Sequence, residues 1–274
     1  MTFTIAVAAG LLIGLSLGSL GGGGSILAVP VLVYALGQSP AQATTGSLVV
    51  VGVTSLISAV TAFRAGNVLL GRGLAFGLVG IGGATIGAKA STHVSEPLLL
   101  AAFALLMLAV GGLMAVRQWR GRSDGPTTDR VRPTLDDPVV TFSPTFTCQC
   151  PRAVKILITA TVVGLLTGFL GVGGGFLVVP ALVLALALPM EYAVGTSLVA
   201  ITLTSAAALA VRAGVGIHPE WGVVLSLTVA SALGGLLGAR LAAHVDTSRL
   251  SAAFTMLVLA VSVYTAARAL PALL

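Results

Sequence analysis

Two stretches decide how this chain is read: Gly14 to Pro30, GLSLGSLGGGGSILAVP, and Gly164 to Pro180, GLLTGFLGVGGGFLVVP. At an offset of 150 (164 against 14), Gly14, Gly18, Gly21, Gly23, Gly24 and Pro30 fall on Gly164, Gly168, Gly171, Gly173, Gly174 and Pro180. Further out, Ser47-Leu48 falls on Ser197-Leu198, and Thr54-Ser55 on Thr204-Ser205. Arg64-Ala65-Gly66 reappears as Arg212-Ala213-Gly214, two residues out of step. Gly87-Ala88-Lys89 with His93-Val94 reappears as Gly238-Ala239-Arg240 with His244-Val245. Composition alone yields scattered Gly and Ala matches, not paired Pro, Arg and His. The chain is a duplication.

Composition sets the solvent. Of 274 residues, 57% are hydrophobic and 8% charged, with a mean hydropathy of +1.08. Soluble domains carry about 25% charged residues, so this chain cannot cover a water-facing surface. Aromatic residues at 5% and 35 glycines argue against an aromatic-girdled barrel and for closely packed helices. Apolar stretches long enough to cross or enter a bilayer lie near 4–20, 25–37, 43–63, 73–90 and 98–116, then 154–170, 175–188, 193–211, 222–240 and 250–270. Residues 117–153 differ, with six arginines, four aspartates and no apolar period, and read as a solvated linker. The expected layout is a first transmembrane repeat over 1–116, a cytoplasmic linker over 117–153 and a second repeat over 154–274. The N-terminal MTFTIAVAAG lacks the basic n-region of a signal peptide and a matching segment recurs in mid-chain, so it is expected to be retained.

The symmetry of the repeats depends on the segment 4–37. It is too long for one span of about 17–25 residues, and Gly21 to Gly24 interrupt it. We expect a re-entrant helical hairpin turning at these glycines, followed by three transmembrane helices, in each half. An odd number of crossings inverts the second half, so the fold expected is an all-α polytopic membrane protein built from two inverted repeats. Basic residues place the linker: eleven fall on its side and three (Lys89, Arg212, Arg268) on the other. A parallel repeat of four spans gives the same division, so charge leaves the symmetry open.

The glycine run has a chemical reading. Gly14, Gly18, Gly164 and Gly168 suit close helix packing. Four successive glycines mark a helix break, since each costs up to ~1 kcal/mol against alanine inside a helix. A helix restarting within the membrane, near Ser25 and near Gly175, leaves backbone N–H groups without partners. Such a break must be shielded or line a hydrated cavity, and its N–H groups with the positive dipole end suit an anion. Ser25 is read as a cap or a ligand donor. A second polar belt follows, in which Thr45, Ser47, Thr196 and Ser197 are candidates because each opens a helix behind a short loop. Thr54-Ser55 and Thr204-Ser205 are expected to bond within or between helices. Arg64 and Arg212 read as interfacial anchors, and His93 and His244 as boundary residues. All eight acids fall in loops or the linker. Cys148 and Cys150 read as ordinary thiols, against a metal or redox pair. With no carboxylate pair, hydrolase triad, zinc site or P-loop, we expect no enzyme activity, cofactor, metal or nucleic-acid partner.

Paired segments of the form G…G…G-x-GGG…VP, each followed by a G-S or T-S helix start, resemble the TauE/SafE family of sulfite and organosulfonate exporters. The resemblance covers nearly the whole chain outside 117–153. It implies a carrier of the bacterial or archaeal inner membrane, exporting a small sulfur anion such as sulfite or sulfoacetate. It places binding at Gly21, Gly22, Gly23, Gly24 and Ser25, and at Gly171, Gly173, Gly174 and Gly175, with Thr45, Ser47, Thr196 and Ser197 in support. The halves differ where Gly22 answers Val172 and Ser25 answers Gly175. A sensor or scaffold acting through the linker is the alternative, as is a carrier of another small anion.

Overall fold

Each glycine run interrupts a helix. α1 (Thr2–Leu20) ends at Gly21, whose φ of +75° is open to glycine and strained for other residues. α2 (Gly23–Pro30) starts after Gly22 and folds back on α1, with Gly24 so close that a Cβ would fall on the Ile13 carbonyl. Pro30 contributes no N–H, and the helix widens into a π turn over Val31–Ala35 before ending. Gln38 N–H then donates to the Leu32 carbonyl at 3.0 Å, while Leu188 donates to Leu182 at 3.1 Å, the same closing bond 150 residues later.

The computed structural model describes residues 2–91, 102, 105–116, 150–170, 175–184, 186, 188–212, 219–242 and 247–269. After the first hairpin come α3 (Pro40–Arg64), α4 (Leu70–Ser91) and α5 (Leu105–Val116). The second half holds α6 (Cys150–Leu170), α7 (Gly175–Leu184), α8 (Met190–Arg212), α9 (Trp221–Ala242) and α10 (Thr247–Ala269). Among the described residues, five helices are long and apolar enough to cross a membrane. Leu12, Leu78, Ile86, Leu105 and Met256 are exposed on the helices, an apolar surface suited to lipid and unsuited to water.

Helix starts precede the sequence reading by three or four residues in five places, α4 (Leu70, not 73) and α10 (Thr247, not 250) among them. α3 begins at Pro40 rather than 43, because Ser39 and Gln42 form a capping box and Pro40 fits the first turn. α6 begins at Cys150, four residues inside the stretch read as linker. α8 begins at Met190 rather than 193, which puts Glu191 in its first turn and corrects its reading as a loop residue.

The halves interlock. α1 packs along α9, and its repeat equivalent α6 packs along α4. In the first contact, Cβ atoms at Gly14 and Gly18 would fall on the carbonyls of Ser231 and Gly235; in the second, those at Gly164 and Gly168 would fall on Gly80 and Ala84. Backbones this close gain van der Waals contact that lipid chains cannot match. α3 and α8 lie between these pairs and touch each other. Thr54 and Ser231 share a hydrogen bond of 2.7 Å across α3 and α9, a contact worth about 0.6 kcal/mol in a membrane bundle.

Candidate functional site

The restarted helices α2 and α7 meet. A Cβ on Gly175 would lie 2.6 Å from Ser25 Oγ and 3.1 Å from Ile201 Cδ1. Ile201 is the middle residue of α8, so the meeting point lies halfway along the central helix. Gly21 to Ser25 are all buried. Gly22 occupies the N-cap position of α2, where no side chain caps the helix; the Ser25 N–H donates back to the Gly22 carbonyl at 3.3 Å, and the N–H groups of Gly23 and Gly24 have no intrahelical partner. Ser25 does not cap: its hydroxyl donates to the Gly22 carbonyl at 2.7 Å and stays completely buried. Gly21 approaches α8, with a Cβ position 2.8 Å from Ser197 Oγ. Gly171, Gly173 and Gly174 lie outside the described residues, as do His93, His244, Cys148 and all of 117–149.

The second polar belt is buried but deeper than expected. Because α3 and α8 start early, Thr45, Ser47, Thr196 and Ser197 lie in their second turns or beyond and do not open the helices. Ser47 and Ser197 donate to the carbonyls of Thr44 and Val194 at 2.8 and 2.7 Å. Thr196 is engaged across the repeat boundary, where its hydroxyl accepts the Leu69 N–H at 3.1 Å. Thr45 is buried beside them in α3. The structure therefore joins Gly21 to Ser197 and Ser25 to Gly175, while Thr196 holds the loop ahead of α4.

Further polar groups escaped the sequence reading. Gln38 is 5% exposed, and neither polar atom of its amide has a partner among the described residues. The buried hydroxyls of Ser58 and Thr167 are also without one, as are those of Ser55 and Ser205, contrary to the expectation that these two would bond within or between helices. Gln38 and Thr167 stand where the other half has Leu188 and Leu17, so a comparison of mismatched positions would have flagged both.

Two small cavities flank the meeting point, one on either side along α8. One, with about 80 Å³ open to water-sized molecules, is lined by Gly18, Thr61, Ala62, Glu191 and Leu198 among others. The second, with about 30 Å³, is lined by Leu48, Thr167, Gly168, Thr204 and Arg212 among others. The late part of α3 thus adjoins the early part of α8, and the early part of α3 the late part of α8. Arg212, read as an interfacial anchor, ends α8 and also lines the second cavity, whereas Arg64 is exposed.

The family model described as Sulfite exporter TauE/SafE matches residues 6–265. This chain belongs to the TauE/SafE family. Probable membrane transporter proteins of Xylella fastidiosa, from strains Temecula1 and 9a5c, are each 34% identical over 265 residues, covering 95% of this chain and 93% of the relative. The probable membrane transporter protein YunE of Bacillus subtilis is 31% identical over 256 residues, covering 90% and 91%. No solved structure matches. As a TauE/SafE member with this helical build, the chain is a multi-pass membrane transporter.

Proposed function

We propose that this transporter exports a small sulfur oxyanion or sulfonate, such as sulfite or sulfoacetate, across the cytoplasmic membrane of a bacterium or archaeon. The observation that carries the reading is the buried meeting of two glycine-broken helix starts at Ser25 and Gly175. The start of α2, which no side chain caps, offers an anion N–H donors and a positive dipole end. Gly21 to Ser25 and Gly171 to Gly175 form the site in this reading, with Thr45, Ser47, Thr196 and Ser197 as its support.

The halves are inverted in the same proposal, each a re-entrant hairpin and three spans, with repeats at 1–116 and 154–274 joined by a cytoplasmic linker. Opposite running of α3 and α8, which are repeat equivalents, supports inversion. α1 alone reaches about 28 Å and α2 with its π turn about 20 Å. The turn at Gly21 adjoins Val194 and Ser197, about 6–10 Å along α8 from Met190, which supports a turn inside the bundle.

Counterflow in proteoliposomes with sulfite, thiosulfate, sulfoacetate and sulfate tests the function. At least one sulfur anion is expected to exchange, and Gly23→Leu is expected to insert normally and lose binding. Exchange of none of the four would overturn the substrate reading. Cysteines at the N-terminus and Ser123 test the topology: the first is expected to label from outside and the second only from inside.

A further inference from the structure

We propose that the cavity among α3, α4, α6 and α8 is a second anion site, in which Arg212 and Thr167 bind a compact oxyanion on its way to or from the Ser25–Gly175 level. The proposal rests on the anion-transport reading and adds a site to it.

The two cavities are repeat equivalents with different chemistry. Gly168 answers Gly18 and Leu48 answers Leu198, each pair lining its own cavity. At the offset of 150, Arg212 stands where the other cavity has Ala62. The arginine triplet, two residues out of step between the halves, accounts for this. A two-residue shift turns a helical side chain by about 200°, so Arg64 is exposed while Arg212 comes onto the cavity face.

Arg212 is half-buried and makes no ion pair or hydrogen bond among the described residues. Among those residues, no acidic side chain lines this cavity, whereas Glu191 lines the other. Thr167 is 6% exposed and its Oγ1 has no partner. The other two hydroxyls here are already used, Thr85 donating to Gly82 and Thr204 to Ala200. An unpaired guanidinium and an unpaired buried hydroxyl are costly together, and an oxyanion satisfies both, since guanidinium donors match its oxygens in pairs. The small space, with about 30 Å³ open to water-sized molecules, suits a compact ion or the sulfonate end of a small one. Ile201, beside Gly175, and Arg212 lie eleven residues apart on α8, about 16 Å. The cavity begins at Thr204, three residues beyond Ile201, so its near end adjoins the first level and its Arg212 end is the separate stop. On the proposed topology it lies toward the outer face.

The test uses full-length protein with Cys148→Ser, Cys150→Ser and Ala208→Cys, since Ala208 lines the cavity. An anionic methanethiosulfonate is expected to label the introduced thiol faster than a cationic one, and Arg212→Gln to lower that ratio about tenfold. Arg212→Lys, which keeps the charge, should preserve the ratio. Sulfate and sulfoacetate should slow labelling, and Thr167→Val should raise the half-protecting concentration about three- to tenfold. A ratio indifferent to Arg212→Gln, an unreactive thiol at position 208, or absence of protection by any anion would each overturn the site. Protection by phosphate but by none of sulfite, thiosulfate, sulfoacetate and sulfate would uphold it and remove the sulfur-export reading instead.

Discussion

Ser25 and Gly175 hold the same place in their repeats, and the space between them admits one side chain. A second Cβ at 175 would intrude on the Ser25 hydroxyl at 2.6 Å. Gly175→Ser is therefore expected to cost about 1–3 kcal/mol through overpacking, read as a lower melting temperature and weaker substrate binding. Adding Ser25→Gly moves the single side chain to the other half and should restore both. A double variant no better than the single one would mean that the crowding lies elsewhere. The pairing of Ser25 with Gly175 was readable because both sit in the repeated motif. The engagement of Thr196 by Leu69 was not, since that contact joins residues 127 apart in sequence through the packing of α4 on α8. The place of Arg212 on a cavity was hidden for a related reason: it depends on which way the end of α8 faces, and only the two-residue slip in the repeat hinted at that.

Among the helices, the glycines divide into those that touch a neighbouring backbone and those that do not. A Cβ at Gly18 or Gly168 would fall on a carbonyl of α9 or α4, whereas one at Gly82 meets nothing within 4 Å. Gly18→Ala and Gly168→Ala are thus expected to cost about 1–3 kcal/mol, and Gly82→Ala to stabilise by about 0.4–1 kcal/mol. Thermal unfolding in detergent would check this, and equal effects at all three positions would contradict the packing assignment. The helical character of these segments was plain from their apolar runs. Their first turns were less so: Ser39, Pro40 and Gln42 are polar or neutral residues that start α3 by capping rather than hydrophobicity.

Taken as a whole, the proposed anion route has no buried carboxylate among the described residues, since Glu191 and Glu220 are both exposed. A cytoplasm-negative potential drives an anion outward by about 2.3 kcal/mol per charge per 100 mV, so export can proceed without a coupling ion. Flux in proteoliposomes is expected to follow an imposed potassium-diffusion potential and to ignore a pH gradient at fixed voltage, with substrate protonation controlled. Strict dependence on a proton or sodium gradient would contradict this and direct attention to Glu191 in its cavity. The interlocking of α1 with α9 also bears on how the chain is made. The glycine face of α1 waits for a partner that begins at Trp221, about 200 residues later. At ~5–20 residues per second this is a delay of about 10–40 s. The first half must therefore dwell in the bilayer with its tightest interface open, and a ribosome that stalls before α9 leaves that groove exposed to whatever helix drifts past.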